Sequence, residues 1–253
     1  MIGIYFSGTG NSKYCISKFL EEYNNNRLVF SIEQDETISH IKNNQEIVIS
    51  YPVQFSNIPK ILYDYIVTNQ QIWKEKKIFI IATMGLFSGD GAGILARLLQ
   101  KYGAVIIGGL HLKMPDNISD EKVLKRKYEK NLALIRNAEA KICKTVLQIK
   151  NGKPPQEGLG IWYHTAGLLG QRLYFYNKTK NYTNKLKINP EKCIGCSLCK
   201  QLCPIKNIQL VNNIATAGNK CTMCYRCINK CPKQAITLLG KKIIEQYDIN
   251  KYF

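Results

Sequence analysis

The chain contains CIGCSLCKQLCP at residues 193–204 and CTMCYRCINKCP at residues 221–232. Both stretches follow the pattern C-x-x-C-x-x-C-x-x-x-C-P, in which three cysteines fall within seven residues and a fourth precedes a proline. Eight of the ten cysteines in the chain belong to these two runs. We call them the first and the second cysteine run. Their spacing is typical of chains whose thiolates surround cubane iron–sulfur clusters.

Two other uses of cysteine fit this pattern less well. A disulfide framework requires an oxidising compartment, and the opening residues, MIGIYFSGTGNS, show no basic region, apolar region and cleavage site of a secretory signal. A zinc site usually has C-x2-C pairs that are separated by a longer spacer. We therefore predict iron–sulfur clusters, an electron-transfer function and a reducing, cytoplasmic environment.

The two runs also resemble each other beyond the cysteines. Ile208 and Ile236 occupy the same place after each Cys-Pro, as do Leu210 and Leu238, which indicates an internal duplication with a shared core. The segment from about residue 187 to 240 resembles the bacterial two-cluster ferredoxins. In such a pair, the fourth cysteine of each run crosses to the other cluster. The predicted ligands are Cys193, Cys196, Cys199 and Cys231 for cluster one, and Cys221, Cys224, Cys227 and Cys203 for cluster two.

A two-cluster ferredoxin needs only about a quarter of 253 residues, so a second domain is expected. In the first 145 residues, short apolar segments alternate with helical patterns. Near-continuous apolar segments such as 78–82 and 105–110 predict strands that are buried on both faces. We predict an α/β domain with a doubly wound, five-stranded parallel sheet. The predicted strands are Ile2–Phe6, Arg27–Ile32, Glu46–Ser50, Lys77–Thr83 and Ala104–Leu112, and the predicted helices are Lys13–Tyr23, Ile58–Val67, Gly91–Tyr102 and about Ser119 to Thr145.

The first turn of this domain has the composition of a phosphate-binding loop. It lies between the first strand and the first helix and consists of Ser7, Gly8, Thr9, Gly10, Asn11 and Ser12. Its glycines allow backbone amides to approach an anion at a helix amino terminus. The loop lacks the Lys-Ser/Thr of a Walker A motif and the spacing of a dinucleotide fingerprint. It resembles the loop of flavodoxin that binds the phosphate of FMN; the alternative is a tight polar turn without a ligand.

The flavodoxin resemblance implies that the flavin ring lies between the loops that follow the third and fourth strands. Its expected contacts are Pro52, Val53, Gln54, Phe55, Ser56 and Asn57 from one loop, and Thr83, Met84, Gly85, Leu86, Phe87, Gly89, Asp90 and Gly91 from the other. Phe55 and Phe87 are the candidates for stacking, and the carbonyl of Gly85 is a candidate partner of the flavin N5. For Phe55, packing beneath the loop is the alternative.

Taken as a whole, the chain resembles fused flavodoxin–ferredoxin proteins of the EFR1-type ferredoxin family. The resemblance is carried by SGTGNS, YPVQFSNIPKIL, KMPDN and the two cysteine runs with CPIKNI and CPKQAI. It implies a flavodoxin-like FMN domain (1–147), a linker and docking segment (148–186), a ferredoxin domain of the α+β type (187–240) and a carboxyl-terminal tail (241–253). Asp116 of KMPDN either faces the ring or caps the following helix, and capping is favoured.

The linker contains an apolar and aromatic segment, Gly158–Tyr176, which we interpret as a helix that docks the ferredoxin domain on the flavin domain. Its alternative is an amphipathic helix at a membrane surface. No run of the sequence approaches the roughly 18 apolar residues of a transmembrane helix.

The formal net charge of +18 is concentrated in the second half of the chain. Residues 1–145 contribute 19 − 14 = +5, and residues 146–253 contribute 17 − 4 = +13. An acidic redox partner is one explanation, and a lysine-rich composition is another. No nucleic-acid-binding motif accompanies the basic residues.

Two functions remain open at this point. We favour a low-potential electron carrier with FMN and two [4Fe-4S] clusters, because no catalytic acid–base pair is evident. The alternative is an FMN-dependent reductase of a small substrate.

Overall fold

The computed structural model describes residues 1–25, 28–86, 89–167, 169 and 181–253. Its larger unit is a sheet of five parallel strands in the order β2-β1-β3-β4-β5. This is the strand order of flavodoxin-like doubly wound folds, and it confirms the predicted fold class. The strands are β1 (Ile2–Tyr5), β2 (Val29–Ser31), β3 (Glu46–Pro52), β4 (Lys77–Met84) and β5 (Val105–Lys113).

Helices cover both faces of this sheet. Ile47 and Ile49 of β3 pack in the core on one side, and Val48 packs in the core on the other, because successive side chains of a strand point to opposite faces. The helices of this domain are α1 (Asn11–Asn24), α2 (Thr37–Asn43), α3 (Lys60–Thr68), α4 (Gly91–Lys101) and α5 (Tyr128–Lys150). The sequence did not predict α2.

The long helix α5 begins later than expected. It starts at Tyr128, not near Ser119, and only a 3-10 turn at Lys122–Leu124 precedes it. Ser119 and Asp120 are buried, and their polar groups bind the carboxyl-terminal part of the chain. These contacts replace the first turns of the predicted helix.

The predicted docking segment is described only in part. A short helix, α6 (Ile161–Gly167), packs on the flavodoxin-like domain, with His164 Nδ1 2.9 Å from a carboxylate oxygen of Asp90 and with Tyr163 against His111. Trp162 on this helix is 82% exposed. Residues 168 and 170–180 of the segment lie outside the described residues. Among the described residues, the contacts between the flavodoxin-like domain and the cysteine-containing module are made by loops and by the carboxyl-terminal tail.

The cysteine runs form a second, small module. Strands β6 (Lys187–Ile188) and β9 (Ile236–Thr237) pair in one antiparallel ribbon, and β7 (Ile208–Val211) and β8 (Ile214–Ala217) pair in another. Each run contains one short helix, α7 (Leu198–Leu202) or α8 (Arg226–Lys230). Ile208 and Ile236 are buried in one shared core, as the duplication predicts.

The carboxyl-terminal tail packs against the flavodoxin-like domain. Tyr247 and Ile249 are buried in the core beside α1 and α5, and a 3-10 helix at Ile249–Tyr252 follows. Phe253 stacks on Tyr14 of α1 with ring centroids 4.7 Å apart. The tail is therefore part of the fold.

Among the described residues, no helix combines the length and the apolar character needed to cross a membrane.

Candidate iron–sulfur and flavin sites

The eight cysteines of the two runs surround two separate cavities. One cavity is lined by Cys193, Cys196, Cys199 and Cys231, together with Pro232, Ile188 and Ile236. The other is lined by Cys203, Cys221, Cys224 and Cys227, together with Pro204, Leu186 and Leu238. Each cavity thus combines three cysteines of one run with the fourth cysteine of the other run. The structure brings together the same two sets that the sequence proposes as ligands.

The surroundings of these cysteines fit cubane clusters. Backbone N–H groups lie within hydrogen-bond distance of four sulfur atoms, at 3.2–3.4 Å. Such bonds stabilise thiolates and tune cluster potentials. Burial raises the pKa of the Cys221 thiol to about 12, and coordination to a metal ion deprotonates such a thiol. Within the described residues, no three or more His, Cys, Asp or Glu side chains form a group that could hold a metal ion, so the two cysteine sets are identified by the cavities that they line.

The second cavity is lined by a polar side chain that no group in the described part of the chain hydrogen-bonds. Thr222 follows Cys221 and is 4% exposed, and its hydroxyl has no hydrogen-bond partner. The same residue lines the cavity of cluster two. A buried hydroxyl without a partner is costly, which is consistent with an acceptor that the protein itself does not supply.

The predicted phosphate loop has the geometry of an anion site. Gly10 has a φ of 101°, a left-handed conformation that favours glycine, and its N–H donates to Ser7 Oγ at 3.1 Å. Helix α1 begins at the next residue, and no side chain caps it. The first-turn amides of α1 are therefore available to an anion. Ser12 Oγ lies 2.8 Å from Thr83 Oγ1, which fixes the loop to the end of β4.

A cleft of about 180 Å³ extends from this loop along the carboxyl ends of β3, β4 and β5. This volume is far larger than a single water needs, so the cleft has room for part of a small-molecule ligand. The predicted flavin contacts that line it are Ser7, Gly8, Thr9, Asn11, Ser12, Pro52, Val53, Gln54, Phe55, Thr83, Met84, Gly85 and Leu86.

Several other predicted contacts lie elsewhere. Asp90 is fully buried at the start of α4, where it pairs with Arg97 and His164. The residues that do not line the cleft are Gly10, Ser56, Asn57, Gly89, Asp90 and Gly91. Phe87 lies outside the described residues.

One wall of the cleft was only partly predicted. Asp116 lines it beside Gly85, and its carboxylate accepts the N–H of Ile118 at 2.8 Å. Burial raises the pKa of this carboxyl group. The expectation that Asp116 caps a helix is wrong, because no helix begins near Ser119. Ile118 and Leu124 also line the cleft.

The wall that the sequence did not predict comes from the second cysteine run. Met223, Cys224 and Tyr225 all line the cleft. A methyl group at Gly8 of the phosphate loop would overlap the carbonyl oxygen of Cys224, so glycine is required for this approach. The Gln54 amide donates to the carbonyl oxygens of Thr222 and Met223, both at 3.1 Å. No local sequence pattern predicts contacts between residues so far apart in the chain.

Two charged side chains hold the second run in this position. Arg226 donates to both carboxylate oxygens of Glu33, at 2.7 and 2.6 Å, and to the carbonyl oxygen of Ser7 at 2.8 Å. Asp120 accepts from Tyr225 Oη at 2.9 Å and from the N–H groups of Leu238 and Leu239 at 2.7 and 2.9 Å. Bidentate Arg–carboxylate pairs are geometrically specific.

Solved structures similar to this chain include flavodoxins. The two-electron reduced flavodoxin of Megasphaera elsdenii is 20% identical, covers 56% of this chain and 99% of its own, and has a TM-score of 0.41. The Fusobacterium nucleatum flavodoxin bound to flavin mononucleotide is 16% identical over 60% of this chain and 98% of its own, with a TM-score of 0.43. The Trp repressor binding protein of Bacillus subtilis is 13% identical over 57% and 96%, with a TM-score of 0.43.

No curated protein matches the chain. A family comparison matches residues 185–232, which contain both cysteine runs, to the 4Fe-4S dicluster domain. This match confirms the predicted pair of [4Fe-4S] clusters in the carboxyl-terminal module.

Proposed function

We propose that this protein relays electrons between a redox partner and an FMN in the cleft by way of two [4Fe-4S] clusters. The proposal includes the cysteine ligand sets given above, membership of the EFR1-type fused flavodoxin–ferredoxin family, and a reducing cytoplasm as the site of action. When bound, FMN exchanges electrons singly or as a pair, and each cluster exchanges one electron.

The position of Cys224 carries the proposal. This residue lines the cavity of cluster two and also the cleft, and it packs in the core cluster of the flavodoxin-like sheet. Its carbonyl oxygen lies against Gly8 of the phosphate loop. A single residue thus belongs to both cofactor sites, so the two sites are adjacent and electrons need not cross solvent between them.

The chain's own residues have distinct roles in the cleft. The first-turn amides of α1 bind the phosphate, and Gly10 allows the loop to turn into the helix. Val53, Phe55 and Met84 supply apolar contacts for the ring. Arg126 donates to the carbonyl oxygen of Gly85 at 3.3 Å and so holds the loop that follows β4.

The wall that the second cysteine run forms beside the cleft favours a carrier over a reductase. A reductase needs space for a substrate beside the flavin, whereas here Met223, Cys224 and Tyr225 of the second run form one wall of the cleft. An electron relay needs no such space and requires only that the flavin and the clusters are close to each other. The alternative, an FMN-dependent reductase fed by the clusters, requires that this wall moves.

An anaerobic reductive titration tests the proposal. Protein with full iron and FMN content is titrated with a one-electron reductant while visible absorption and EPR are recorded. We expect uptake of two electrons at FMN and one at each cluster. In a rapid-mixing experiment, protein stripped of iron is expected to lose fast flavin reduction, because the clusters that pass electrons to the flavin are then absent.

Two results would contradict the relay. One is flavin reduction at the same rate with and without clusters. The other is reduced clusters that never pass electrons to the flavin.

A further inference from the structure

Ion pairs hold two cations of the second cysteine run, whereas exposed lysines near both cluster sites, including Lys206 and Lys220 near the cysteines of cluster two, form none within the described part of the chain. In the second run, Arg226 pairs with Glu33, and Lys230 pairs with Asp248. Lys192 and Lys233 line the cavity of cluster one, and Lys200 follows Cys199. All three lysines are exposed, and none forms an ion pair with a residue in the described part of the chain.

The same region exposes the cluster-one site to solvent. Cys196 is exposed, and Ile194 beside it is 54% exposed. The equivalent cysteine of the second run, Cys224, is 8% exposed and faces the flavodoxin-like domain. Of the eight cysteines in the two runs, Cys196 is the exposed one, so the surface around it is the most accessible to another protein.

We propose that this surface, defined by Lys192, Ile194, Cys196, Lys200 and Lys233, is the docking site of an acidic protein that carries one-electron equivalents. This inference rests on the proposed relay. The three lysines, which form no ion pair among the described residues, supply charge complementarity, and the exposed Ile194 supplies an apolar contact. Glu191 is the acidic neighbour of Lys192, so the side chains of this surface carry a formal charge of about +2, which offsets the charge of about −2 that an oxidised cubane with four thiolates brings.

Charge reversal on the assembled protein tests this surface. The probe is an acidic two-[4Fe-4S] ferredoxin, reduced beforehand and mixed anaerobically with the oxidised protein. The variant Lys192→Glu/Lys233→Glu is compared with Lys144→Glu/Lys153→Glu, which has the same net charge but changes exposed lysines of the flavodoxin-like domain and linker. The neutral pair Lys192→Gln/Lys233→Gln provides a milder change if the reversed variant assembles poorly.

We expect the second-order rate constant to fall about tenfold or more at low ionic strength in the Lys192/Lys233 variants, and to converge with the unaltered protein at high salt. The control pair is expected to stay within about twofold, because a local contact, not total charge, sets the encounter. If the rate constant falls equally in the Lys192/Lys233 and the Lys144/Lys153 variants, or falls in neither, the proposed docking site is wrong.

Reduction by dithionite separates this inference from the relay itself. In one outcome, dithionite-reduced clusters pass electrons to the flavin at unchanged rates in every variant, and the rate constant with ferredoxin does not change in the Lys192/Lys233 variants. The docking surface is then wrong and the relay stands. If the unaltered protein fails this internal transfer, the proposed function fails first.

Discussion

The two cysteine runs have the same backbone but different neighbours. Gly195 and Met223 occupy equivalent positions with φ of 69° and 57°, and so do Ser197 and Tyr225, with φ of 63° and 61°. Run two faces the flavin cleft, whereas run one faces solvent at Cys196. The difference comes from the residues between the cysteines. A duplicated cluster motif thus becomes a directional pair through side chains that the cluster itself does not need.

The largest expected effect is a loss of stability when the contacts of Asp120 with the second cysteine run and the strand that follows it are removed. Asp120→Ala leaves Tyr225 Oη, the buried N–H of Leu238 and the partly buried N–H of Leu239 without their acceptor. We expect a loss of about 3–5 kcal/mol in the free energy of unfolding, since each buried unpaired donor costs about 1–3 kcal/mol. Anaerobic denaturation followed by circular dichroism measures it. Ser197→Ala, at the run-one position equivalent to Tyr225, is the control and should change it by less than about 0.5 kcal/mol. Similar losses in both variants would mean that the two runs are attached alike.

The next effect concerns the phosphate loop. Arg226→Leu gives run two the residue that run one has at this position, Leu198. The change removes the donor to Ser7 O and leaves Glu33 unpaired. We expect FMN to bind about tenfold more weakly, which corresponds to about 1.4 kcal/mol. Quenching of flavin fluorescence by flavin-free protein gives the dissociation constant.

The reciprocal change, Leu198→Arg, serves as its control and should leave FMN affinity within about twofold. An unchanged affinity in Arg226→Leu would show that the loop keeps its shape without this contact.

The smallest expected effect is a shift in the reduction potential of cluster two. Thr222 is buried in the cavity of cluster two with an unpartnered hydroxyl, and its run-one equivalent is the exposed Ile194. A hydroxyl that donates to a cluster sulfur stabilises the more negative, reduced form. We expect Thr222→Val to make the potential of cluster two about 60 mV more negative, a tenfold change for one electron. EPR-monitored redox titration measures this shift.

Thr222→Ser keeps the hydroxyl and should keep the potential, and Ile194→Val should leave both potentials unchanged. A shift of cluster one in the Thr222→Val variant, with none in cluster two, would contradict this role.

Local patterns explain what could be predicted. Continuous apolar strands indicated the parallel sheet, and the glycines of the loop between β1 and α1 indicated an anion site. The cysteine spacing indicated two sets with exchanged fourth members, which the two cavities bring together. In each case the residues that act together are close in sequence or recur at a fixed spacing.

Long-range contacts explain what was missed. Asp120 was assigned to a helix because its neighbours have a helical pattern, yet its carboxylate binds N–H groups more than one hundred residues away. The short amphipathic segment of α2 lacks a strong start signal, and the structure shows no side-chain cap there. The tail 241–253 has no motif, although Tyr247 Oη lies 2.5 Å from Asn11 Oδ1 in the phosphate loop.

The packing of this tail has a consequence for synthesis of the protein. Ile249 donates its N–H to Thr9 O at 3.3 Å, and its side chain lies against Gly10. The ribosome makes Thr9 and Gly10 long before Ile249, and domains generally fold from the amino terminus during translation. The nascent flavodoxin-like domain therefore presents an open phosphate loop. We expect FMN to have its widest access to the loop at this stage, before Ile249 packs on Gly10 and the second cysteine run forms its wall of the cleft.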